Sequence, residues 1–461
     1  MSVAARPLSG GDDAPSEATV ALAPGATDRA LRRRGLTLFL LTCAYFFSYM
    51  DRQILAILQE DIRKELVLSD TQLGLLAGFA FAIFYATLGL PVARLADKGN
   101  RVNIIAWALA IWSAMTAICG LAQNFTQLLL ARIGVGIGEA GSSPPSHSII
   151  ADLYPAEKRA GAMGIYSLGV VLGTAFGTII GGTVAHLYGW RVAMYTIGLP
   201  GILLAIAIKL LVVEPQRGLS DAHIVTDAQE HGAMPSLGAG FASMFRNPAA
   251  FHLVMGVTVT SLIGYGHAAF GNSFLIRSFG FDKMDIVTRV APLGALCATI
   301  SAVGGGWLAN QAAKRYGVYA QSWLVLAMKS VGLPMSFLFY TAGSPGQALA
   351  IYFVSLLFVN SYLGPSFAMI QGLAPTRLRA LWAAITLLVI NLIGLGLGPT
   401  LIGMISDALK PAYGDREALR WAMISFAAAT PWALFHYWRA GVLLKRAAAG
   451  GHVRMAGGRS I

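Results

Sequence analysis

Residues Tyr154–Ala160 read YPAEKRA, and Ala374–Ala380, 220 residues further on, read APTRLRA. Each copy precedes a long apolar run, so the same punctuation opens a helix twice in one chain. A second echo joins Leu95–Arg101 (LADKGNR) to Leu308–Lys314 (LANQAAK), offset by 213 residues. Repetition at this distance divides the chain into two halves of one design.

Composition says what those halves are made of. Of 461 residues, 56% are hydrophobic and 12% charged, where soluble domains carry roughly 25% charged residues. Mean hydropathy is +0.62. The apolar runs are long enough to cross a hydrocarbon layer of about 30 Å, which takes about 20 helical residues. The chain is therefore an all-α integral membrane protein. Twelve transmembrane helices are predicted near 36–58, 71–93, 102–121, 126–153, 161–184, 191–213, 249–276, 288–309, 319–340, 347–371, 380–405 and 419–440. The long polar stretch 214–247 splits them six and six. The expected organisation is a disordered tail (1–35), a six-helix bundle (36–213), a linker (214–247), a second bundle (248–440) and a short tail (441–461). Two pseudo-symmetric bundles of this kind place a site between them near mid-membrane.

The net charge of +12 does not mark a nucleic-acid binder, because the basic residues sit in alternate loops with no interleaved aromatics. Arg32, Arg33, Arg34, Arg94, Lys98, Arg101, Lys158, Arg159, Lys314, Arg315, Arg377, Arg379, Lys445 and Arg446 fall on one side. On the other, Glu60, Asp61, Glu65 and Asp70 outnumber Arg63 and Lys64. The positive-inside rule then makes both termini cytoplasmic, in an inner (plasma) membrane. The segment 1–30 lacks the apolar stretch of a signal peptide. Cys43, Cys119 and Cys297 all lie in expected spans and suggest neither a disulfide framework nor a metal site.

Charges inside the spans are the candidate functional groups. Ser48–Gln53 (SYMDRQ) puts Asp51 and Arg52 in the middle of span one, where a charge costs roughly 2.5–3.5 kcal/mol on insertion scales. In span four, Arg132 and Glu139 are two turns apart on nearly one face. Counting the rise along both helices places Asp51 and Arg52 between the depths of Arg132 and Glu139, so two acids and two bases can pair. Such a cluster suits a proton switch, in which a carboxylate takes a proton when its arginine moves away. Asp51 and Glu139 are the proton-coupling candidates. Arg52 and Arg132 suit an anionic head group, with Glu139 also near the substrate. The alternative is a salt-bridge network that holds helices together.

Other polar groups are weaker candidates. His147 follows the Pro144-Pro145 pair that should kink span four. It can relay protons or be a satisfied interior histidine. Asn272, Asn360 and Asn391, with His267, are mid-span groups that line a cavity or hydrogen-bond between helices. Tyr45, with Phe46, Phe47 and Tyr49, offers an aromatic wall for an alkyl chain or packs against lipid. Gly136–Gly141 matches the dinucleotide pattern G-x-G-x-x-G, but it follows no strand, so the physical context is wrong. It reads as close helix packing, as do Gly169, Gly173, Gly177 and Gly181. No P-loop, metal-ligand cluster or catalytic constellation emerges, and no cofactor, enzyme activity or channel is expected.

Ala93-Arg-Leu-Ala-Asp97-Lys-Gly-Asn-Arg101 resembles the loop signature of the major facilitator superfamily, G-x-L-a-D-R-x-G-R, with Ala93 and Asn100 in place of two glycines. The resemblance implies a cytoplasmic gate in which Asp97 and Arg101 latch the bundles, Asp97 toward span eleven. The Tyr-Met-Asp51-Arg52 core, the form of that loop and Gly134–Ala140 (GVGIGEA) are together similar to the spinster-like branch. That branch implies proton-coupled transport by alternating access of an amphipathic lipid such as a lysophospholipid or sphingosine phosphate, by a monomer in the lipid bilayer. A proton-coupled drug antiporter or an organic-anion carrier is the alternative.

Overall fold

The computed structural model describes residues 26–220 and 236–449. A chain in hydrocarbon must satisfy its backbone internally, and here it does so with helices throughout. Span one is Arg34–Leu66, and span two runs through Asp70–Gly74, Leu75–Phe79 and Ala80–Lys98. Span three is Arg101–Cys119. Span four is a broken helix, Phe125–Glu139 then Ser143–Leu153, followed by span five (Ala156–Tyr188) and span six (Trp190–Leu211). The second half repeats this with span seven (Pro248–Phe279), span eight (Lys283–Tyr316) and span nine (Tyr319–Tyr340). Span ten is broken as well, Pro345–Val359 then Leu363–Leu373. Spans eleven and twelve run on from each other over Leu381–Ala449 and separate at Gly414, whose φ of 73° and ψ of 169° end the helix.

The two broken helices agree residue for residue. Adding 220 to the bounds of span four, 125–139 and 143–153, gives the bounds of span ten, 345–359 and 363–373. The repeat seen at the head of spans five and eleven thus extends through the preceding helix. Pro144 and Pro145 open the second piece of span four, where a proline lacks only a hydrogen bond that a first turn never makes.

Among the described residues, nine helical segments pass as membrane-crossing on length and apolarity alone. Span one, interrupted by Asp51, Arg52 and Gln53, and span four, which carries Arg132 and Glu139, fall outside that set, and the last two spans count as one segment. Some ends also moved. Span one continues past the expected 58 to Leu66, because Glu60 and Asp61 are paired to other helices and do not fray it. The expected linker contains a helix, Leu237–Arg246, capped by Ser236 and seated by Gly240 against Leu381 of span eleven. Its remaining polar part, 221–235, and the tails 1–25 and 450–461 lie outside the described residues.

Packing differs between the two ends of the molecule. Away from the basic loops, one core runs through both bundles, joining Ile54, Leu58, Leu73 and Leu76 to Phe270, Phe274, Ile402 and Met423. Toward the basic loops that core divides. One part lies within the first bundle (Leu41, Ile105, Trp112, Ile149, Tyr166) and another within the second (Leu253, Val257, Ile370, Trp382, Tyr437). The bundles are closed on the face opposite the basic loops and parted toward the basic face.

Glycine sets how closely they approach. A Cβ on Gly74 of span two would lie 2.4 Å from the Pro399 carbonyl oxygen, and one on Gly78 would lie 2.6 Å from that of Leu395. The stripe Gly169, Gly173, Gly177, Gly181 does the same within the first bundle, where a Cβ on Gly173 would meet the Phe46 carbonyl oxygen at 2.4 Å. Overpacking of this kind costs about 1–3 kcal/mol. Gly74→Leu is expected to pry spans two and eleven apart. A single cysteine introduced at buried Thr400, with the native cysteines replaced, should then react with a water-soluble maleimide roughly tenfold faster or more. Unchanged labelling would show that the approach does not depend on Gly74.

Candidate functional site

Adjacent residues on a helix point roughly 100° apart, and span one uses this to separate its two charges. Asp51 turns into the first bundle. Its Oδ2 accepts from Arg132 Nη1 at 3.0 Å and its Oδ1 from Thr116 Oγ1 at 2.5 Å. Asp51 and Arg132 retain 1% and 2% of their exposure. Arg52 turns toward the space between the bundles. Its Nε and Nη2 donate to Glu139 Oε2 at 2.9 and 2.6 Å, and its side chain is 21% exposed. The pairs are therefore crossed, each acid meeting a base on the other helix.

The Arg52 guanidinium also sits over three rings, 5.0 Å from the centroid of Tyr49 and 4.8 Å from those of Phe81 and Tyr85. Phe81 lies 5.8 Å from the Arg132 guanidinium as well, so one ring touches both pairs. Cation–π contacts of this kind are worth about 0.5–2 kcal/mol and fix the plane of the cation. Glu139 closes the first piece of span four, immediately before the break. Its second oxygen, Oε1, is buried and, among the described residues, has no hydrogen-bond donor.

The remaining candidates fall into place around this centre. Tyr45 stacks on Tyr166 of span five with centroids 4.3 Å apart, and meets Tyr49 edge-on at 5.1 Å. Exposed His147 sits edge-on to Tyr166 at 5.2 Å. An aromatic row thus leads from Arg52 through Tyr49, Tyr45 and Tyr166 to His147. Among the described residues the His147 ring makes no hydrogen bond. Asn272, Asn360 and Asn391 are half-buried, and among the described residues their side chains make no hydrogen bond, so they do not bridge helices. Asn360 lies in the break of span ten and Asn391 in a π-helical turn of span eleven, Ile390–Leu397. His267 bonds the Met423 carbonyl at 3.0 Å.

Two of the expected substrate and gate residues find their partners within the first half of the chain. Arg132 is buried, 5.8 Å from the centre of the Phe81 ring and paired with Asp51. Arg101 does not latch the bundles here. Asp152 holds it at 2.5 Å, Glu214 at 2.6 Å, Ser148 at 2.7 Å and the Pro215 carbonyl at 2.8 Å, all within the first half of the chain. The side chain of Asp97 lies outside those described.

The ion pairs that do join the bundles lie on the opposite face, where the sequence showed only loop charges. Arg277, near the end of span seven, grips Asp70 of span two with two bonds of 2.9 and 2.7 Å and Glu60 of span one at 2.8 Å. Ser406 of span eleven adds a bond of 2.7 Å to Asp70. Asp407 accepts from the Asp70 and Thr71 amides at 3.1 and 2.8 Å, capping span two from the other bundle. The one hint in the sequence was an arginine placed inside an apolar run.

Two packed six-helix bundles, parted on one face and enclosing paired charges at mid-depth, describe a membrane transporter of small molecules. A family model described as Major Facilitator Superfamily matches residues 41–399. An MFS-type efflux pump of Mycolicibacterium smegmatis is 30% identical over 417 residues, covering 90% of this chain and 94% of that protein. Protein spinster homolog 1 of Rattus norvegicus is 26% identical, over 83% of this chain and 75% of its own. A crystal structure of a bacterial homolog of the human lysosomal transporter Spinster, inward-facing and unoccupied, superposes with a TM-score of 0.78 at 30% identity, covering 90% of this chain and 98% of that one. The nucleoside transporter NupG, at 14% identity and a TM-score of 0.68, shares the fold. The chain belongs to the major facilitator superfamily, in its spinster-like branch.

Removing one partner of a buried ion pair costs about 3–5 kcal/mol, because the other charge stays behind. Among the described residues, Arg277→Ala leaves Asp70, 0% exposed at the side chain, without a cationic partner and leaves Glu60, 4% exposed, with Arg63 alone. The variant is expected to melt well below the wild type in a thermal unfolding assay, with Arg277→Lys between the two. Equal melting temperatures would show that these contacts do not hold the closed face.

Proposed function

We propose that this chain is a proton-coupled secondary transporter working by alternating access, whose substrate is an amphipathic molecule such as a lysophospholipid or a sphingosine-phosphate-like lipid. The observation that carries the reading is the crossed pair of ion pairs, with half-buried Arg52 held by Glu139 above three aromatic rings. The basic short loops support a cytoplasmic position for both termini, in a plasma membrane. The parted face then opens inward.

The coupling follows from charge balance. While Arg52 donates to Glu139, the acid is satisfied as a carboxylate. A substrate that draws Arg52 away leaves Glu139 buried beside the break, with Oε1 already lacking a donor among the described residues. An isolated buried carboxylate takes a proton instead of paying for its charge. Asp51 keeps Arg132 and Thr116 as partners, and gives up its charge when rocking of the bundles separates it from Arg132. Asp97 and Arg101 belong to the gate on the basic face, and there Arg101 exchanges partners when that face closes. The aromatic row from Tyr49 to His147 provides the apolar wall for a chain. Asn272, Asn360 and Asn391 are free to meet the polar part of the substrate.

The Mycolicibacterium relative is described as an efflux pump, which favours a second reading in which the same charges drive extrusion of an amphipathic drug by proton exchange. Both readings share one test. In proteoliposomes preloaded with a fluorescent lysolipid or a lipophilic dye, an imposed pH gradient is expected to accelerate movement. Asp51→Asn and Glu139→Gln should each abolish the acceleration while leaving ligand binding measurable. Transport indifferent to the gradient, or an unchanged pH dependence in Asp51→Asn, contradicts proton coupling.

A further inference from the structure

Span nine carries a lysine at its midpoint. Lys329 stands halfway along Tyr319–Tyr340, as deep in the membrane as any residue of that helix. Its Nζ donates to the Val359 carbonyl oxygen at 2.7 Å and lies 4.4 Å from the centre of the Tyr362 ring. Among the described residues it forms no ion pair. Arg52 and Arg132, arginines well inside spans one and four, each grip a carboxylate.

The internal repeat makes this difference meaningful. Val359 ends the first piece of span ten just as Glu139 ends that of span four, 220 residues earlier. Each bundle therefore brings a cation to the end of a broken helix. In the first bundle the chain supplies the matching carboxylate, Glu139. In the second the equivalent position is a valine, and the cation holds a neutral carbonyl oxygen.

The lysine's surroundings connect to the site between the bundles. Tyr362 shares a hydrogen bond of 3.0 Å with Ser261 of span seven. Tyr265, one turn further along that span and 37% exposed, is within electrostatic reach of Tyr362 on its own bundle and of Tyr49, Tyr85 and Arg52 on the other. Lys329, Tyr362 and Asn360 are themselves half-buried, not sealed.

We propose that Lys329 is an anion-binding group: the counter-charge that the second bundle lacks is the phosphate or carboxylate of the substrate. An ammonium whose neighbours are a carbonyl oxygen and an aromatic face gains most from an anionic partner. The head group displaces the bond to Val359, while the apolar part of the molecule lies along the tyrosines. Arg52, already neutralised by Glu139, then acts on coupling and Lys329 on head-group choice. This rests on the reading of the protein as a transporter of amphipathic molecules.

The test uses the full chain in lipid nanodiscs and three probes of equal chain length: monododecyl phosphate, dodecanoate and dodecyltrimethylammonium. Wild type is expected to bind the anions in preference to the cation, and the tighter of the two anions identifies the head-group chemistry. Lys329→Met should weaken anion binding about tenfold or more, leave the cation unaffected, and be rescued by Lys329→Arg. Should the methionine variant fail to fold, Lys329→Gln, which can keep the bond to Val359, is expected to show the same loss. Anion binding unchanged in the neutral variants overturns the assignment of Lys329 alone. A wild type that binds the cation in preference overturns the anion site. A wild type that binds none of the three overturns the amphipathic-substrate reading, and the lysine's role with it.

Discussion

A charge inside a bilayer has to be answered from within the protein, since no water is there to do it. That constraint organises this molecule. Span one places an acid and a base side by side, and span four answers each with its opposite at the same depth. Because neighbouring side chains on a helix diverge, the answers cannot both come from one direction. Asp51–Arg132 is sealed inside the first bundle, while Arg52–Glu139 faces the gap between bundles. One pair is closed off among helices, and in the other Arg52 keeps a fifth of its side-chain exposure.

The same constraint explains the closed face. Arg277 reaches from the second bundle to two acids of the first, and Asp407 caps the start of span two across the divide. Each of these contacts is local to one end of the molecule. Near the basic loops the ionic partners of Arg101 belong to its own half, and the apolar core separates into two. A pair of rigid bundles joined at one end and parted at the other is one arm of an alternating-access cycle.

Much of this was legible in the sequence, and the limits have a physical origin. Twelve spans followed from apolar runs, and two halves followed from repeated loops, because both are properties of neighbouring residues. The depth of Asp51, Arg52, Arg132 and Glu139 followed from a fixed rise per residue. Which way a side chain faces across a bundle did not follow, because it depends on helices hundreds of residues away. So Arg132 was expected in the substrate path and is buried beside Phe81, paired with Asp51. Arg101 was expected between bundles and holds Asp152 and Glu214. Glu60 and Asp70 read as loop charges in the sequence, although together with Arg277 and Asp407 they close one face. Lys329 drew no attention because its meaning lies in a comparison with the break in span four.

The spinster-like resemblance and the fold agree, and the charge cluster on which the resemblance partly rests is assembled in space. The proposed coupling of that cluster to a proton turns on Glu139. Infrared difference spectroscopy, recorded as substrate is added to the protein in lipid, reads the carbonyl stretch of a protonated carboxyl directly. The expected result is a protonated-carboxyl band that appears on binding in the wild type and is missing from Glu139→Gln. A band of equal size in both, or no band in the wild type while substrate binds, would contradict the assignment of Glu139 as the proton carrier.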